Sequence, residues 1–281
     1  MSAVLGLGTY RVRAVSDAAR TALLAGTPWI DTAPNYAYGR AHRELAAVLP
    51  EYPGVRVATK AGFDPQGRHS IAPEFVRSQT EQTLADLGQA DLVFVHNPER
   101  SSYDRGQLHR NVLGAFAALE EFAHAGRIGG YGVATWSGFT SRAFTVAELV
   151  ALASAAAGSQ SHRLTGVQMP VSLVMAEPLT QALDGDGPLV HAREAGITTF
   201  ASAPLHGGEL PALMTPELVN LIQPGSNPYA AAFHLVGACP ALDVVLTSTS
   251  SRAHWDDATA ALARPIPEDR LRKVLDVLSA G

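Results

Sequence analysis

The sequence contains a single cysteine, Cys239, so no disulfide can form within one chain. Its setting, HLVGACPAL, is typical of a small buried side chain rather than of a reactive thiol. No apolar run approaches the roughly 20 residues that span a bilayer, and the first residues lack the basic and apolar regions of a signal peptide. We therefore expect a cytoplasmic protein that does not engage a membrane.

An excess of positive charge is also missing. The 21 Lys and Arg residues are outnumbered by 26 Asp and Glu residues, and the formal net charge is −5. The basic residues are scattered along the chain, so no face is suited to a phosphate backbone and nucleic acid is not expected as a partner. The ten histidines are dispersed as well, so the sequence predicts no metal site.

Several catalytic signatures are absent from the chain. The segment Gly6-Leu7-Gly8 has no third glycine and no helix start after it, which argues against a Rossmann dinucleotide site. No Gly-x-Ser-x-Gly elbow and no His-Glu-x-x-His motif occur. These absences argue against a serine hydrolase with a nucleophile elbow and against a zinc protease.

Short apolar runs that alternate with helical patterns are what the sequence does contain. Eight such units in about 250 residues are typical of an α/β fold of the (β/α)8 TIM-barrel type. With 47% hydrophobic residues and no linker, the chain is expected to form one domain over residues 1–281. The predicted strands are 4–9, 29–31, 55–60, 91–96, 128–135, 164–169, 197–202 and 243–248.

Helical patterns follow each of these runs, and several end on a glycine that suits a helix C-terminus. Beyond the eighth unit, residues 267–281 place Leu271, Val274, Leu275 and Leu278 on one helical face, which predicts an extra C-terminal helix. The other predicted helices are 16–26, 39–49, 73–88, 110–126, 144–158, 189–196, 229–237 and 251–262.

Three successive predicted strands end in a polar residue, namely Asp31, Lys60 and His96. Each alone is often a helix cap, a solvated amine or a structural histidine, but in a barrel all three would meet at the rim where active sites form. A phenol joining them would complete a proton-transfer site, because a nearby ammonium lowers a tyrosine pKa. The loop DTAPNYAYG offers Tyr36 or Tyr38 for this role.

The chain resembles the aldo-keto reductase family, in particular bacterial aldose and sugar dehydrogenases. Residues 6–12 are similar to the family's first strand, and residues 31–49 to its Asp-Thr-Ala-x-x-Tyr segment and following helix. Residues 58–63 resemble the strand with the catalytic lysine, and residues 91–99 the strand with the histidine. Residues 228–262 resemble the cofactor segment.

The resemblance implies a role for each polar residue. Tyr36 would be the general acid, Lys60 would lower its pKa, Asp31 would hold the lysine, and His96 would orient the substrate carbonyl. The family usually has glycine after the catalytic tyrosine, where this chain has Ala37. The predicted rim segments contain five candidates for the substrate pocket, for which packing of a loop is an equally open interpretation, namely Tyr10, Phe63, Tyr103, Trp136 and His206. The resemblance adds Tyr38 to these candidates.

Cofactor binding is where the chain departs from the family pattern. Ala134 and Thr135 stand where a Ser-Asn pair commonly holds the nicotinamide carboxamide, and Ser202 stands where many members have an aromatic residue. His254 and Ala258 replace residues that often read the 2′-phosphate and the adenine. The resemblance implies cofactor contacts from Thr135, Gln168, Ser202, Pro204, Leu205, Ser248, Thr249, Ser250, Ser251, Arg252, His254 and Asp257.

The resemblance thus predicts an NAD(P)-dependent oxidoreductase acting on a small carbonyl or sugar-like substrate. NADP is favoured over NAD because Arg252, His254 and the serines retain anion-binding potential. One alternative is a redox-neutral acid–base enzyme performing elimination, cyclisation or epimerisation, given the departures at Ala134, Thr135, Ser202 and Ala258. Another is a non-catalytic binding protein on the same fold.

Overall fold

The computed structural model describes residues 3–279 as a barrel of eight parallel strands surrounded by helices. The strands pair in chain order, and the barrel closes where Val4 pairs with Val244. The predicted (β/α)8 fold is therefore confirmed. The strands are β1 (Val4–Gly8), β2 (Trp29–Asp31), β3 (Arg56–Ala61), β4 (Leu92–His96), β5 (Gly130–Ala134), β6 (Leu164–Pro170), β7 (Thr198–Ser202) and β8 (Val244–Thr247).

Twelve helices cover the outside of the barrel in the described part of the chain. Within residues 3–279 none of them combines the length and the hydropathy that crossing a bilayer requires. They are α1 (Val15–Leu24), α2 (Ala41–Ala46), α3 (Pro73–Leu87), α4 (Arg105–His124), α5 (Val146–Ala157), α6 (Glu177–Leu183), α7 (Gly187–Glu194), α8 (Leu210–Leu213), α9 (Pro216–Ile222), α10 (Pro228–Gly237), α11 (Arg252–Leu262) and α12 (Glu268–Ser279).

The barrel interior is filled by aromatic side chains that need small neighbours. Phe200 packs edge-on against Trp29 and Phe94, with ring centroids 5.1 and 5.5 Å apart. A Cβ on Gly132 would lie 2.1 Å from the carbonyl oxygen of Gly166, and a Cβ on Gly166 would lie 3.0 Å from the Phe94 ring. These glycines therefore allow β5 and β6 to pass beside the ring, since interiors are close-packed.

The structure adds helices that the sequence patterns did not predict. Helices α6, α8 and α9 each have proline in their first turn, where its missing N–H is tolerated. Helix α4 begins five residues before its predicted start, after the N-cap Asp104, whose carboxylate accepts from the Gln107 N–H. Helix α2 ends at Ala46, earlier than predicted.

The predicted extra C-terminal helix is confirmed as α12. Its residues Leu271, Val274 and Leu275 are buried, and the helix contacts α6 and α9. The fourth residue of the predicted face, Leu278, is 42% exposed. Because α12 lies against helices outside the barrel, it extends the outer layer without reaching the strand ends.

Candidate active site

A cavity of about 670 Å³ opens at the carboxyl ends of the strands. All eight strands or the loops that follow them contribute to its wall, as expected for a TIM barrel. Its lining includes Asp31, Tyr36, His96, Gln168 and Ser248. Side chains that are distant in sequence therefore converge on one concave site.

The base of this site is a buried ion pair between Lys60 and Asp31. The Lys60 Nζ atom donates to both Asp31 carboxylate oxygens at 2.7 and 2.6 Å, and to the Thr32 carbonyl at 3.0 Å. Asp31 Oδ1 also accepts from Gln168 Nε2 at 2.8 Å. Burial lowers the pKa of Lys60, and the attraction of Asp31 opposes that shift.

Tyr36 lies directly above the ion pair, on the 3-10 turn Tyr36–Gly39. The Lys60 Nζ atom is 4.9 Å from the centre of the tyrosine ring. The turn is tight, because Ala37 and Tyr38 both adopt the left-handed conformation, with φ of 50° and 56°. Glycine adopts this conformation at lower cost than alanine, which gives a physical reason for the glycine that relatives usually have after the tyrosine.

The pKa of Tyr36 differs in direction from the sequence-based expectation. Burial raises the pKa of Tyr36 well above its usual value, and the negative charge of Asp31 adds to that shift. Lys60 was expected to lower this pKa, but its charge is neutralised by the two carboxylate oxygens of Asp31. The phenol is therefore held in its protonated form.

His96, at the end of β4, lies beside Tyr36 with ring centroids 6.3 Å apart. Phe63 packs against its other side at 4.9 Å, and His69 Nε2 lies 2.9 Å from the His96 carbonyl oxygen. Burial lowers the pKa of His96 well below its usual value, and Lys60 contributes to this shift. The His96 Nδ1 atom is buried and has no hydrogen-bond partner among residues 3–279. The imidazole is therefore neutral and incompletely satisfied.

The Aldo/keto reductase family model matches residues 4–218 of the chain. The chain belongs to the aldo/keto reductase family. Members of this family are oxidoreductases that generally use NAD(P)H. No curated protein matches the chain by sequence.

Solved structures of the same fold resemble this aldo-keto reductase. A glycerol dehydrogenase from Gluconobacter oxydans has a TM-score of 0.75 at 18% identity, covering 98% of this chain and 91% of the other. A thermostable aldo-keto reductase solved with the inhibitor epalrestat has a TM-score of 0.71 at 18% identity, covering 97% and 94%. A protein described as a 2,5-diketo-D-gluconic acid reductase B has a TM-score of 0.70 at 20% identity, covering 99% and 92%.

The structure of this aldo-keto reductase brings most of the predicted pocket residues to the cavity. Tyr10, Phe63 and Trp136 line it, and Tyr10 packs on Tyr36 with ring centroids 5.2 Å apart. Tyr38 does not, because its left-handed backbone turns the ring outward and leaves it 91% exposed. Of the two tyrosines that the loop offered, only Tyr36 therefore reaches the site.

Residues predicted near the nicotinamide line the same cavity but are already hydrogen-bonded in part. The Thr135 hydroxyl accepts from the Gly138 N–H at 2.7 Å, and the Gln168 amide nitrogen is used by Asp31. The amide oxygen of Gln168 has no hydrogen-bond partner among residues 3–279, so it remains available. The predicted Ser202, Pro204 and Leu205 border the cavity as well.

The residues predicted from the sequence to contact phosphate lie in the segment between β8 and α11. Ser248 lines the cavity, and Ser251 is the N-cap of α11, accepting from the His254 N–H at 3.3 Å. The Thr249 hydroxyl accepts from the Ser251 N–H at 3.0 Å. Ser250 lies between them and accepts on its carbonyl from Thr21 at 3.3 Å. This loop therefore presents hydroxyls at a helix N-terminus.

The remaining predicted cofactor residues lie on α11 and outside the cavity wall. Arg252 forms an exposed ion pair with Asp256 at 2.8 Å. His254 stacks on Tyr229, with ring centroids 4.5 Å apart. Asp257 accepts from the Asn227 side chain at 2.9 Å, which ties α11 to α10. These contacts give His254 and Asp257 structural partners in addition to any role toward a nucleotide.

Several residues that line the cavity were not predicted from the sequence. Asn35 and Asn97 each stand next to a catalytic candidate, and Arg11 follows Tyr10, so adjacency to the strand ends was the signal available. Glu209 comes from the long loop after β7, where composition alone does not show which side chains turn inward. The predicted His206, from the same loop, does line the cavity, whereas the predicted Tyr103 is fully exposed and does not border it. Asn35 Oδ1 and His206 Nδ1 are buried without partners among the described residues.

Proposed function

We propose that this aldo-keto reductase reversibly reduces a carbonyl compound, either a small aldehyde or ketone or a sugar, with NADPH as the reductant. The observation that carries the proposal is the convergence of Asp31, Tyr36, Lys60 and His96 on one cavity. The bound nucleotide would supply a hydride to the carbonyl carbon. The protein would supply a proton to the carbonyl oxygen, so that the product is an alcohol.

Tyr36 is the proposed proton donor in reduction. The phenol is protonated at neutral pH, as a tyrosine side chain with a pKa of about 10 or higher must be, and this is the state that a general acid requires. His96 is a neutral imidazole that lines the cavity, and it would orient the substrate oxygen by hydrogen bonding. The ion pair of Lys60 and Asp31 lies beneath the phenol, and Gln168 donates a further hydrogen bond to Asp31.

The residues present fit a nicotinamide dinucleotide. The cavity of about 670 Å³ leads from Tyr36 to Ser248, beside the N-terminus of α11, where phosphate groups are stabilised. The Gln168 amide oxygen and Ser202 would bind the nicotinamide end, and Ser248, Ser250 and Ser251 the phosphates. Arg252 and His254 favour NADPH over NADH, because both can carry positive charge beside a 2′-phosphate.

Nicotinamide absorbance measured with aldehydes, ketones and aldoses tests this function. Tyr36→Phe is expected to reduce kcat by about a hundredfold to ten-thousandfold, the contribution typical of a general acid. NADPH affinity measured by calorimetry should stay nearly unchanged, because the lost interaction belongs to the transition state. Failure of the wild-type protein to bind either NADPH or NADH would contradict the proposal.

A redox-neutral acid–base reaction is the second candidate, and one observation favours it. The Thr135 hydroxyl and the Gln168 amide nitrogen, both expected to contact the nicotinamide, are already used by Gly138 and Asp31. Substrate turnover by nucleotide-free protein, unchanged by added NADPH, would support this reaction over reduction.

A further inference from the structure

The geometry points to a second, apolar subsite beside the catalytic cavity, which holds an alkyl or aryl arm of the carbonyl substrate. This inference rests on the proposed function, because the arm belongs to the molecule whose carbonyl meets Tyr36. Such a subsite would favour an aldehyde or ketone with an apolar arm over a fully hydroxylated sugar of the same length.

The subsite is a cavity of about 240 Å³ between the loops that follow β5 and β6. Thr135 and Trp136 line both this cavity and the catalytic one. The two spaces therefore share a wall, and in the proposed binding mode the substrate extends from one into the other around the Trp136 ring. That ring is 50% exposed, so few neighbouring atoms restrain it.

The chemistry of the wall suits an apolar group. Glu177 is the single charged residue of the described lining. The apolar side chains include Phe139, Met169, Val174, Met175 and Pro178, and the hydroxyl groups are those of Thr135, Ser137 and Thr140. Val174 is 52% exposed, although an apolar residue on a surface loop gains nothing from contact with water. Two methionines also allow the wall to adapt to occupants of different shape.

The shared wall is fixed at its backbone by a residue from the neighbouring loop. Glu99 Oε1 accepts from the N–H groups of Trp136 and Ser137, both at 3.0 Å. Glu99 lies three residues after His96, so it links the loop of the catalytic histidine to the loop between the two cavities. The backbone of Trp136 is therefore held in place, while its half-exposed ring retains rotational freedom.

The volume of the subsite decides the size of the occupant. A dry apolar cavity of about 150 Å³ is large enough to bind benzene. The subsite exceeds that volume, so a phenyl ring or a short alkyl chain fits. Burying each added CH2 group is expected to raise kcat/KM roughly fourfold until the space is filled.

A series of unbranched aldehydes from propanal to octanal, with D-xylose as a hydroxylated comparison, tests the subsite. In the wild-type protein kcat/KM should rise with the chain length of the aldehyde. The kcat/KM for D-xylose should not exceed that for propanal, because its hydroxylated chain does not enter the apolar subsite. Val174→Trp places a large ring in the subsite and should flatten the dependence on length. Leu213→Trp is the matched control, because Leu213 is 68% exposed on α8 and borders neither cavity, so it should leave that dependence unchanged.

Binding of hexanamide, which has no reducible aldehyde, gives a readout independent of turnover. We expect calorimetry to detect binding to the wild-type protein and to Leu213→Trp, and not to Val174→Trp, because the introduced ring occupies the subsite. Equal hexanamide binding by all three proteins, or equal dependence on chain length, would overturn the subsite. Hexanamide that alters propanal turnover without competing would show a separate effector site and overturn it too.

The two readouts separate this inference from the proposed function. If no aldehyde is reduced with either nucleotide, the proposed function fails, and hexanamide binding alone then decides whether the apolar subsite exists. If aldehydes are reduced with no dependence on chain length, the function stands and the subsite is wrong.

Discussion

At the scale of single residues, the ion pair between Lys60 and Asp31 is the most demanding feature of the site. Both side chains are almost completely buried, and a buried charge without a partner costs far more than a solvated one. The structure meets this demand with four hydrogen bonds, three from Lys60 Nζ and one from Gln168 Nε2. The same contacts fix the position of the ion pair beneath Tyr36.

Lys60→Met is expected to destabilise the fold by about 3–5 kcal/mol, because it leaves the Asp31 carboxylate buried without a cation. Urea unfolding at neutral pH measures this loss. The double variant Asp31→Asn with Lys60→Met should recover most of the stability, since neither charge is then buried alone.

The matched control is the exposed pair between Arg127 and Glu81, whose nitrogen and oxygen atoms are 2.6 Å apart. Glu81→Gln should cost no more than about 1 kcal/mol, because water screens this pair. A similar small loss for Lys60→Met would contradict the assignment of Lys60 as the partner of a buried charge.

At the scale of secondary-structure elements, helix α2 is joined to strand β3 by a buried histidine. His42 Nε2 lies 3.0 Å from the Thr59 hydroxyl, one residue before Lys60. Burial lowers the pKa of His42 from 6.5 to about 4, and the positive charge of Lys60 adds to this shift. The contact is therefore made by the neutral imidazole.

Because of this histidine, the free energy of unfolding is expected to decrease as the pH is lowered. Above pH 6.5 the side chain is neutral in both states, and as the pH falls from 6.5 to about 4 the unfolded chain takes up a proton that the folded protein excludes. The shift corresponds to roughly 3 kcal/mol, at about 1.4 kcal/mol per pKa unit.

Comparison of wild type with His42→Gln by urea unfolding across this pH range isolates the effect. The variant should lose less stability on acidification, because glutamine does not titrate there. His96 and His69 also have lowered pKa values and remain in both proteins, so only the difference between the two curves counts. Parallel curves would show that His42 does not contribute.

At the scale of the whole molecule, we propose that residues 1–281 fold as one domain with α12 as an integral part. Strand β1 closes the barrel against β8, so the two ends of the fold depend on each other. Helix α12 packs on α6 and α9, and Arg272 bonds to the Leu183 carbonyl and to Asp184. Contacts of this kind predict one cooperative transition.

Leu271→Ala is expected to lower the free energy of unfolding by about 2–5 kcal/mol, because Leu271 is fully buried. Circular dichroism and tryptophan fluorescence should still report a single shared midpoint, and kcat should change little because α12 borders neither cavity. Val277→Ala, at a position 52% exposed on the same helix, should change stability by less than about 0.5 kcal/mol. Separate midpoints for the two probes would show that α12 unfolds on its own.

The eight strands and the polar residues at their ends could be predicted from the sequence because they are local features. An apolar run that ends in Asp31, Lys60 or His96 shows both the strand and the side chain that emerges from it. Helices α6, α8 and α9 could not, since they are short and begin with proline, and packing against the barrel stabilises them rather than their own propensity.

The sequence by itself determined the barrel, the family and the four residues proposed for catalysis. Only the tertiary structure decided how those residues are held. The bond from Gln168 to Asp31 joins residues 137 positions apart, and the raised pKa of Tyr36 results from burial by several loops. The apolar subsite likewise exists only where two loops meet around Trp136. Strand patterns depend on neighbouring residues, whereas cavities, burial and long-range hydrogen bonds depend on the closed barrel.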